Sequence, residues 1–289
     1  MILLSQAPFF ALLFNILYPY NVMKTSNASE ATILIWLMVV GATWIGTSNA
    51  IREIVKEQPI LRREHGLGLS LASYVASKVA VLGAITAAEC VFLAVATIGL
   101  QQQLPAVDPI AHFSFPGGGV FLSPVLLEIV LDVVLAGLAA MGVGLLVSAI
   151  VKTSDQANFA LPLLLVAQVV LSAPVLGSPG PVFAALGTVS TAQWGTAATA
   201  ATISLNEIRQ PYLAGVEEQR AEAENREVDP SVSAGQGSWS HNQGTWLADL
   251  AALLAVLVVS VSAAYVALVR RHRIGAGQAG APTPFRPSV

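Results

Sequence analysis

Long apolar segments separated by short polar ones dominate this sequence. Their hydropathy predicts six membrane-spanning helices, over residues 1–17, 33–51, 70–100, 121–151, 159–177 and 247–269. Each segment approaches or exceeds the ~20 helical residues that cross the hydrocarbon core of a bilayer. The pattern therefore predicts an all-α membrane protein, and the even number of spans places both chain ends on one side.

The second and third predicted spans are joined by a segment that is rich in charge. Seven of its side chains are charged: Arg52, Glu53, Lys56, Glu57, Arg62, Arg63 and Glu64. Since only 11% of the whole chain is charged, this cluster indicates a segment in water beside the membrane. Pro59 is expected to open a turn and Gly66 to end it, so that residues 52–66 form a short surface helix. This helix is either a solvated connection that orients the chain or a docking surface for a cytoplasmic partner.

The basic residues predict how the chain is oriented. Ten of the fourteen lysines and arginines fall on the side that holds residues 52–66, the turn after the fourth span and the C-terminal tail. The positive-inside rule makes that side cytoplasmic. The opposite side is acidic and is therefore external. We expect a multi-pass protein of the plasma membrane with both termini in the cytoplasm.

A stretch without any charged residue covers residues 156–206, which is longer than one span requires. We interpret residues 178–246 as an external re-entrant segment followed by a loop, because non-helical backbone is tolerated at membrane depth only where protein or water surrounds it. The tail, residues 272–289, has a composition typical of disorder. Since residues 1–23 carry no charge, we also expect that the chain is cut at or near the start of its first span.

We single out three acids inside predicted spans: Glu89 in the third, and Glu128 and Asp132 in the fourth. Intramembrane acids are rare and by default suggest a substrate or proton pathway. Glu128 and Asp132 lie near the outer end of their span, where helix packing or contact with interfacial water is the alternative. Glu89 lies deeper and is the better candidate for a protonated or paired carboxyl group.

The sequence carries no pattern typical of catalysis. It has no GxxxxGK[ST] loop for phosphate groups and no GxSxG motif with its partners. The four histidines are scattered without metal-ligand spacing, and no basic run with interleaved aromatic residues indicates nucleic acid. We therefore expect no catalytic residue, no metal site, no nucleic-acid partner and no ATP hydrolysis by this chain alone.

One segment resembles a known family. Residues 49–78 read NAIREIVKEQPILRREHGLGLSLASYVASK and look like the second-to-third-helix region of the ABCG-type (ABC-2) transporter membrane domain. More narrowly, they are similar to actinobacterial half-transporters in which FHA modules and an ATP-binding cassette precede the membrane domain. The resemblance implies an ABC-2 type transmembrane domain over residues 1–271, with re-entrant elements before the sixth span. We expect the cassette on a separate polypeptide or on a longer chain of which this sequence is a fragment.

By this resemblance, residues 52–66 are a coupling helix that contacts the nucleotide-binding domain, and Glu57 and Glu64 fall on the family's two acids in this segment. ATP and Mg²⁺ then belong to the partner ATPase, and two protomers form a homodimer surrounded by membrane lipid. The family's substrate cavity lies between the second and fifth helices of the two protomers. The corresponding positions here are Thr43, Ile45, Ser48, Asn49, Asn158, Leu165 and Gln168.

We interpret the chain as the membrane-spanning permease of an ATP-driven exporter that works by alternating access. A mostly apolar interior favours a lipidic or amphipathic substrate. Two alternatives stay open. One is a proton-coupled carrier that uses the three intramembrane acids, and the other is a membrane anchor for a cytoplasmic signalling module that transports nothing.

Overall fold

A computed structural model describes residues 5–18, 28–101, 119–122, 124–172, 181–225, 227 and 239–279. These residues form helices connected by short turns. In chain order the helices are α1 (Gln6–Leu17), α2 (Ala28–Ala50), α3 (Glu53–Gly66), α4 (Leu71–Gln101), α5 (Val125–Ile150), α6 (Ser154–Val170), α7 (Pro181–Gly187), α8 (Thr191–Thr202), α9 (Leu205–Glu224) and α10 (Gln243–Ala279). The predicted all-α membrane fold is confirmed.

Within the described ranges, four stretches are long and apolar enough to cross a membrane. They are Glu30–Gly66, Leu71–Leu100, Val125–Ile150 and Gln243–Arg271. The apolar part of the first stretch is α2, since the charged segment follows it. The first and fifth predicted spans correspond to α1, with 12 residues, and α6, with 17 residues. Both are shorter than a full crossing, so the number of six spans stays a prediction.

Helix α5 lies at the centre of the bundle and contacts α2, α4, α8 and α10. Small residues allow this close packing. A Cβ atom on Gly46 of α2 would collide with the backbone of Gly137 in α5, and one on Gly144 of α5 would lie 2.9 Å from the carbonyl oxygen of Thr47. The backbones of α2 and α5 therefore approach more closely than larger side chains permit.

The charged segment between the second and third spans forms α3, which begins after a turn at residues 51 and 52. Its buried face consists of Ile54, Val55, Gln58 and Leu61, which pack against α5, α2 and α6. The expected turn at Pro59 is wrong, because α3 continues through this residue. Pro59 is exposed, so its ring lies outside the buried face of α3, and it removes only the helical hydrogen bond to the carbonyl of Val55.

The predicted external segment, residues 178–246, contains three helices in its described part. Helix α8 is buried along nearly its whole length and lies against α2, α5 and α10, whereas α9 presents exposed charged residues such as Glu218 and Arg220. Residues 178–180, 226 and 228–238 lie outside the described residues. The burial of α8 fits a segment that returns into the bundle, and the re-entrant path stays a prediction.

Residues 272–279 of the predicted disordered tail are helical in the structure. Helix α10 continues to Ala279, because each residue added to an existing helix gains a backbone hydrogen bond without a new nucleation step. Residues 280–289 lie outside the described part of the chain.

Candidate functional site

The amino end of α3 is fixed to the bundle by a serine of α5. The hydroxyl oxygen of Ser148 accepts hydrogen bonds from the backbone N–H groups of Ile54 and Val55, both at 3.0 Å. These two donors belong to the first turn of α3, where no intrahelical acceptor exists. Ser148 is fully buried, so the contact is shielded from water and holds the first turn of α3 against α5.

A second set of contacts joins α3 to the start of α4. The ammonium group of Lys78 lies 3.2 Å from the carboxylate of Glu53 and 2.6 Å from that of Glu57. Glu53 also pairs with Lys56, and the hydroxyl of Tyr74 donates to Glu57 at 2.9 Å. Burial raises the pKa of the Glu53 carboxyl, but the hydrogen bonds from Lys56 and Lys78 outweigh burial and hold this pKa below its ordinary value.

The second half of α3 is exposed on the side turned away from its buried face. Ile60 and Leu67 are 50% and 85% exposed, and Arg63 and Glu64 are exposed between them. Spacings of three, four and seven residues place these four side chains on one helix face. We call them the outer face of α3. Exposed Ile60 and Leu67, with the charged Arg63 and Glu64 between them, form a surface suited to contact with another protein.

The seven residues predicted to couple α3 to an ATPase thus fall into two groups. Glu53 and Glu57 are half-buried and paired with Lys78, whereas Arg52, Lys56, Arg62, Arg63 and Glu64 are exposed. Sequence reasoning treated Glu57 and Glu64 as equivalent. Their surroundings differ, because Glu57 already has partners within the chain and the carboxylate of Glu64 points to solvent.

The seven predicted cavity positions lie on α2 and α6, and all but one are buried in the protomer. Thr43, Ile45, Ser48, Asn49, Leu165 and Gln168 are buried, and Asn158 is exposed. Several have partners within the chain. The hydroxyl of Ser48 donates to Gln6 at 2.8 Å, and the side-chain oxygen of Gln168 accepts from the hydroxyl of Ser190 at 2.8 Å and from the backbone of Ala192.

Two residues from separate predicted groups meet in the core of the bundle. The amide of Asn49 in α2 donates to the carboxyl of Glu89 in α4 at 2.6 Å and to Thr86 at 3.2 Å. Both Asn49 and Glu89 are nearly inaccessible, and each keeps one side-chain oxygen without a hydrogen-bond donor. These two oxygens are therefore buried acceptors without a donor, which is uncommon in folded proteins.

Glu128 stabilises the turn that precedes α5. Its carboxylate accepts hydrogen bonds from three consecutive backbone N–H groups, those of Val120, Phe121 and Leu122. It is fully buried, so the alternative of contact with interfacial water is wrong for this residue. These three backbone donors provide the Glu128 side chain with partners from the adjacent turn, which indicates a structural role.

Asp132 lies one turn further along α5 and connects three helices. Its two carboxylate oxygens accept from Thr202 of α8 at 2.9 Å and from the indole N–H of Trp246 in α10 at 3.0 Å. It is also fully buried, so interfacial water is excluded here as well.

Sequence reasoning missed Asp249, an acid in the last predicted span, which is 3% exposed and lies within electrostatic range of Asp132. Asp249 lies inside the predicted span 247–269, and this position alone could have identified it as a further intramembrane acid.

Within the described ranges, no three His, Cys, Asp or Glu side chains come close enough to hold a metal ion. Glu89, Glu128 and Asp132 instead receive hydrogen bonds from amide, backbone, hydroxyl and indole donors, whereas one oxygen of Glu89 and one of Asp249 have no donor. Among the described residues, exposed charged side chains are concentrated on α3 and α9.

Comparison with known proteins agrees with this geometry. The chain is similar to the ABC transporter ATP-binding/permease protein Rv1747 of Mycobacterium tuberculosis. The two are 31% identical over an alignment of 255 positions, which covers 86% of this chain. The chain spans 25% of the length of that relative. Residues 3–176, which include α1 to α6, match the family of ABC-2 type transporters. The chain therefore belongs to the ABC-2 type transporter family, as a membrane domain.

Proposed function

We propose that this chain is the membrane-spanning permease of an ATP-driven exporter and that an ATP-binding cassette docks on the outer face of α3. The observation that carries this proposal is that the first half of α3 is bonded to the bundle, whereas its second half has an exposed outer face. The first half is joined to α4 and α5 through Lys78 and Ser148, and the second half presents Ile60, Arg63, Glu64 and Leu67 to solvent. The relative in Mycobacterium tuberculosis is named as both ATP-binding and permease protein, which supports a cassette as the partner.

The contacts of α3 supply a route for mechanical coupling. A cassette that moves α3 also moves the helix ends to which α3 is bonded, at Ser148 in α5 and at Lys78 in α4. Packed helices respond to such a displacement as rigid bodies. Closure of two cassettes on ATP would then reorient the spans of two protomers, so that a cavity between them opens alternately to the cytoplasm and to the outside.

The substrate and the assembly form the finer part of the proposal. We propose a homodimer in the plasma membrane with both termini cytoplasmic, and ATP with Mg²⁺ bound by the cassettes. Thr43, Asn49 and Leu165 are buried in the single protomer, so we propose that the cavity forms when the two protomers rearrange. The mostly apolar interior of the chain favours a lipidic or amphipathic substrate.

The test is reconstitution of the chain with its ATPase in liposomes. The charge reversals Arg63→Glu and Glu64→Lys are combined, because each alters an exposed side chain of the outer face. We expect loss of export and of transport-linked ATPase activity, with unchanged thermal stability and span assembly. Glu222→Lys, on the exposed surface of α9, is the matched control. Wild-type export by the α3 double variant would refute docking on this face.

A proton-coupled carrier is the second candidate, favoured by the buried carboxyl of Glu89 and its unpartnered oxygen. The two candidates predict different energy sources. An exporter driven by ATP keeps its activity when a protonophore removes the proton gradient, whereas a proton-coupled carrier stops. Membership in the ABC-2 type transporter family favours ATP over this candidate and over a membrane anchor without transport.

A further inference from the structure

A groove of about 530 Å³ lies on the outer surface of the bundle between α4 and α10. This volume falls within the ~300–1,000 Å³ typical of small-molecule sites. Three alanines spaced by four residues lie on one face of α4 and give the groove its depth, while valines and one tyrosine of α10 form the other wall. The residues that carry the argument are Ala72, Ala76, Ala80, Val261, Tyr265 and Val266.

Basic side chains border one end of this groove. Arg270 is exposed and lies four residues after Val266, so it continues the same face of α10 by one helical turn. Arg271 and Arg62 line a separate small cleft between α10 and α3. Since α4 begins and α10 ends at this level, the arginines lie at the end of the bundle that the charge distribution predicts to be cytoplasmic.

These arginines have no acidic partner among the described residues. The ion pairs in that part of the chain join Lys56 and Lys78 to Glu53 and Glu57. Arg271 donates to the backbone carbonyls of Ala149 and Val151, at 3.1 and 3.0 Å, and so keeps its positive charge. The groove therefore combines an apolar channel with an unneutralised basic rim.

We infer that an anionic phospholipid of the cytoplasmic leaflet binds between α4 and α10, with one acyl chain in the groove and its phosphate at Arg270. An acyl chain matches the apolar walls, and the alanines between Ala72 and Ala80 provide about 12 Å of groove length at 1.5 Å per residue. A zwitterionic lipid fills the groove equally well but gains nothing from the rim. Selection for a net negative headgroup therefore comes from Arg270, supported by Arg62 and Arg271. The site lies on the outer surface of the bundle, so this inference does not rest on the proposed transport function.

The experiment uses the full chain in nanodiscs of phosphatidylcholine and phosphatidylglycerol. A trace of phosphatidylglycerol with a photoreactive diazirine in its acyl chain is cross-linked, and the modified peptides are identified by mass spectrometry. We expect adducts within residues 72–80 and 261–266. Ala76→Trp fills the groove and should remove these adducts, whereas Val91→Trp, on an exposed part of α4 further from the rim, should retain them. Ala76→Leu serves as the milder groove-filling variant if Ala76→Trp does not assemble.

Headgroup selection is measured by competition between unlabelled phosphatidylglycerol and phosphatidylcholine. Arg270→Gln should lower the preference for phosphatidylglycerol about fivefold, which corresponds to ~1 kcal/mol per basic side chain near the membrane surface. Arg220→Gln, on α9, should leave it unchanged. Equal labelling by a phosphatidylcholine probe, adducts that persist when the groove is filled, or cross-links from this groove into a second copy of the chain would each overturn the inference.

Discussion

Lys78 of α4 donates a hydrogen bond to the carboxylate of Glu57 in α3 at 2.6 Å. The two side chains are 17% and 31% exposed, so solvent screens their attraction only in part. The contact joins the charged surface helix to the beginning of a membrane span. It also shows that a charge in this segment has a role in the structure of the protomer as well as any role in docking.

The first prediction compares the two acids that the sequence presents as equivalent. Glu57→Lys should destabilise the junction of α3 and α4 by roughly 1.5–3 kcal/mol, because it replaces a hydrogen-bonded charge pair with two like charges. Glu64→Lys should change stability by less than about 0.5 kcal/mol, because its carboxylate is exposed. Thermal unfolding in detergent measures both. The double reversal Glu57→Lys with Lys78→Glu should recover part of the loss, and an equal effect of the two single variants would contradict the observed pairing.

The second prediction concerns the serine under α3. Ser148→Ala removes the acceptor for two backbone N–H groups and should cost about 1–3 kcal/mol, the penalty for leaving buried donors unsatisfied. Ser77→Ala is the control, because the Ser77 hydroxyl is exposed and bonds only to its own helix. Hydrogen exchange at Ile54 and Val55 measures the local effect. Exchange at wild-type rates in the variant would show that Ser148 does not hold the amino end of α3.

The third prediction concerns Asp132 and Trp246. Asp132→Asn keeps one acceptor oxygen but turns an amide N–H₂ toward a donor, so either Thr202 or Trp246 loses its acceptor. We expect a loss of about 1–3 kcal/mol in stability. Trp246→Phe removes the indole donor, so the double variant should be more stable than the sum of the single effects predicts. Additive effects would mean that the two side chains do not interact in the membrane.

The fourth prediction concerns pH. The pKa of Glu53 is lower in the folded protein than its ordinary value of 4.5, so the folded state favours the ionised carboxylate. The resulting stabilisation is complete above pH 4.5 and disappears as the pH falls through the lowered folded-state value. Unfolding of wild type and Glu53→Gln is compared across this acidic range. The difference in stability between the two proteins should shrink toward low pH. A difference that grows would show that folding raises the pKa of Glu53 instead of lowering it.

The fifth prediction concerns orientation. In a Cys90→Ala background, a cysteine in place of Glu222 on α9 should react with an impermeant thiol reagent from outside, and one in place of Glu64 on α3 only after permeabilisation. Both positions are exposed, so protection reflects the membrane and not burial in the protein. Reaction of both cysteines from the same side would refute the orientation that the basic residues predict.

The sequence by itself determined the class of the protein. Apolar segments of membrane length required helices, because a bilayer offers no partner for free backbone groups. The clustered charges of residues 52–66 predicted a surface helix, and the residues around it carried the resemblance to a family that the comparison with known proteins confirmed. Hydropathy was sufficient for these conclusions because the solvent, water or lipid, acts on each segment separately.

The partners of individual side chains were decided only by the tertiary structure. Glu57 and Glu64 lie seven residues apart on one helix, yet one meets Lys78 and the other meets solvent. Asn49 and Glu89 are 40 residues apart in sequence and share a hydrogen bond, and Asp132 receives its donors from residues 70 and 114 positions away. Such contacts depend on how the helices cross and rotate. Small residues at the crossing points permit that packing, but local sequence does not specify which polar side chains it brings together.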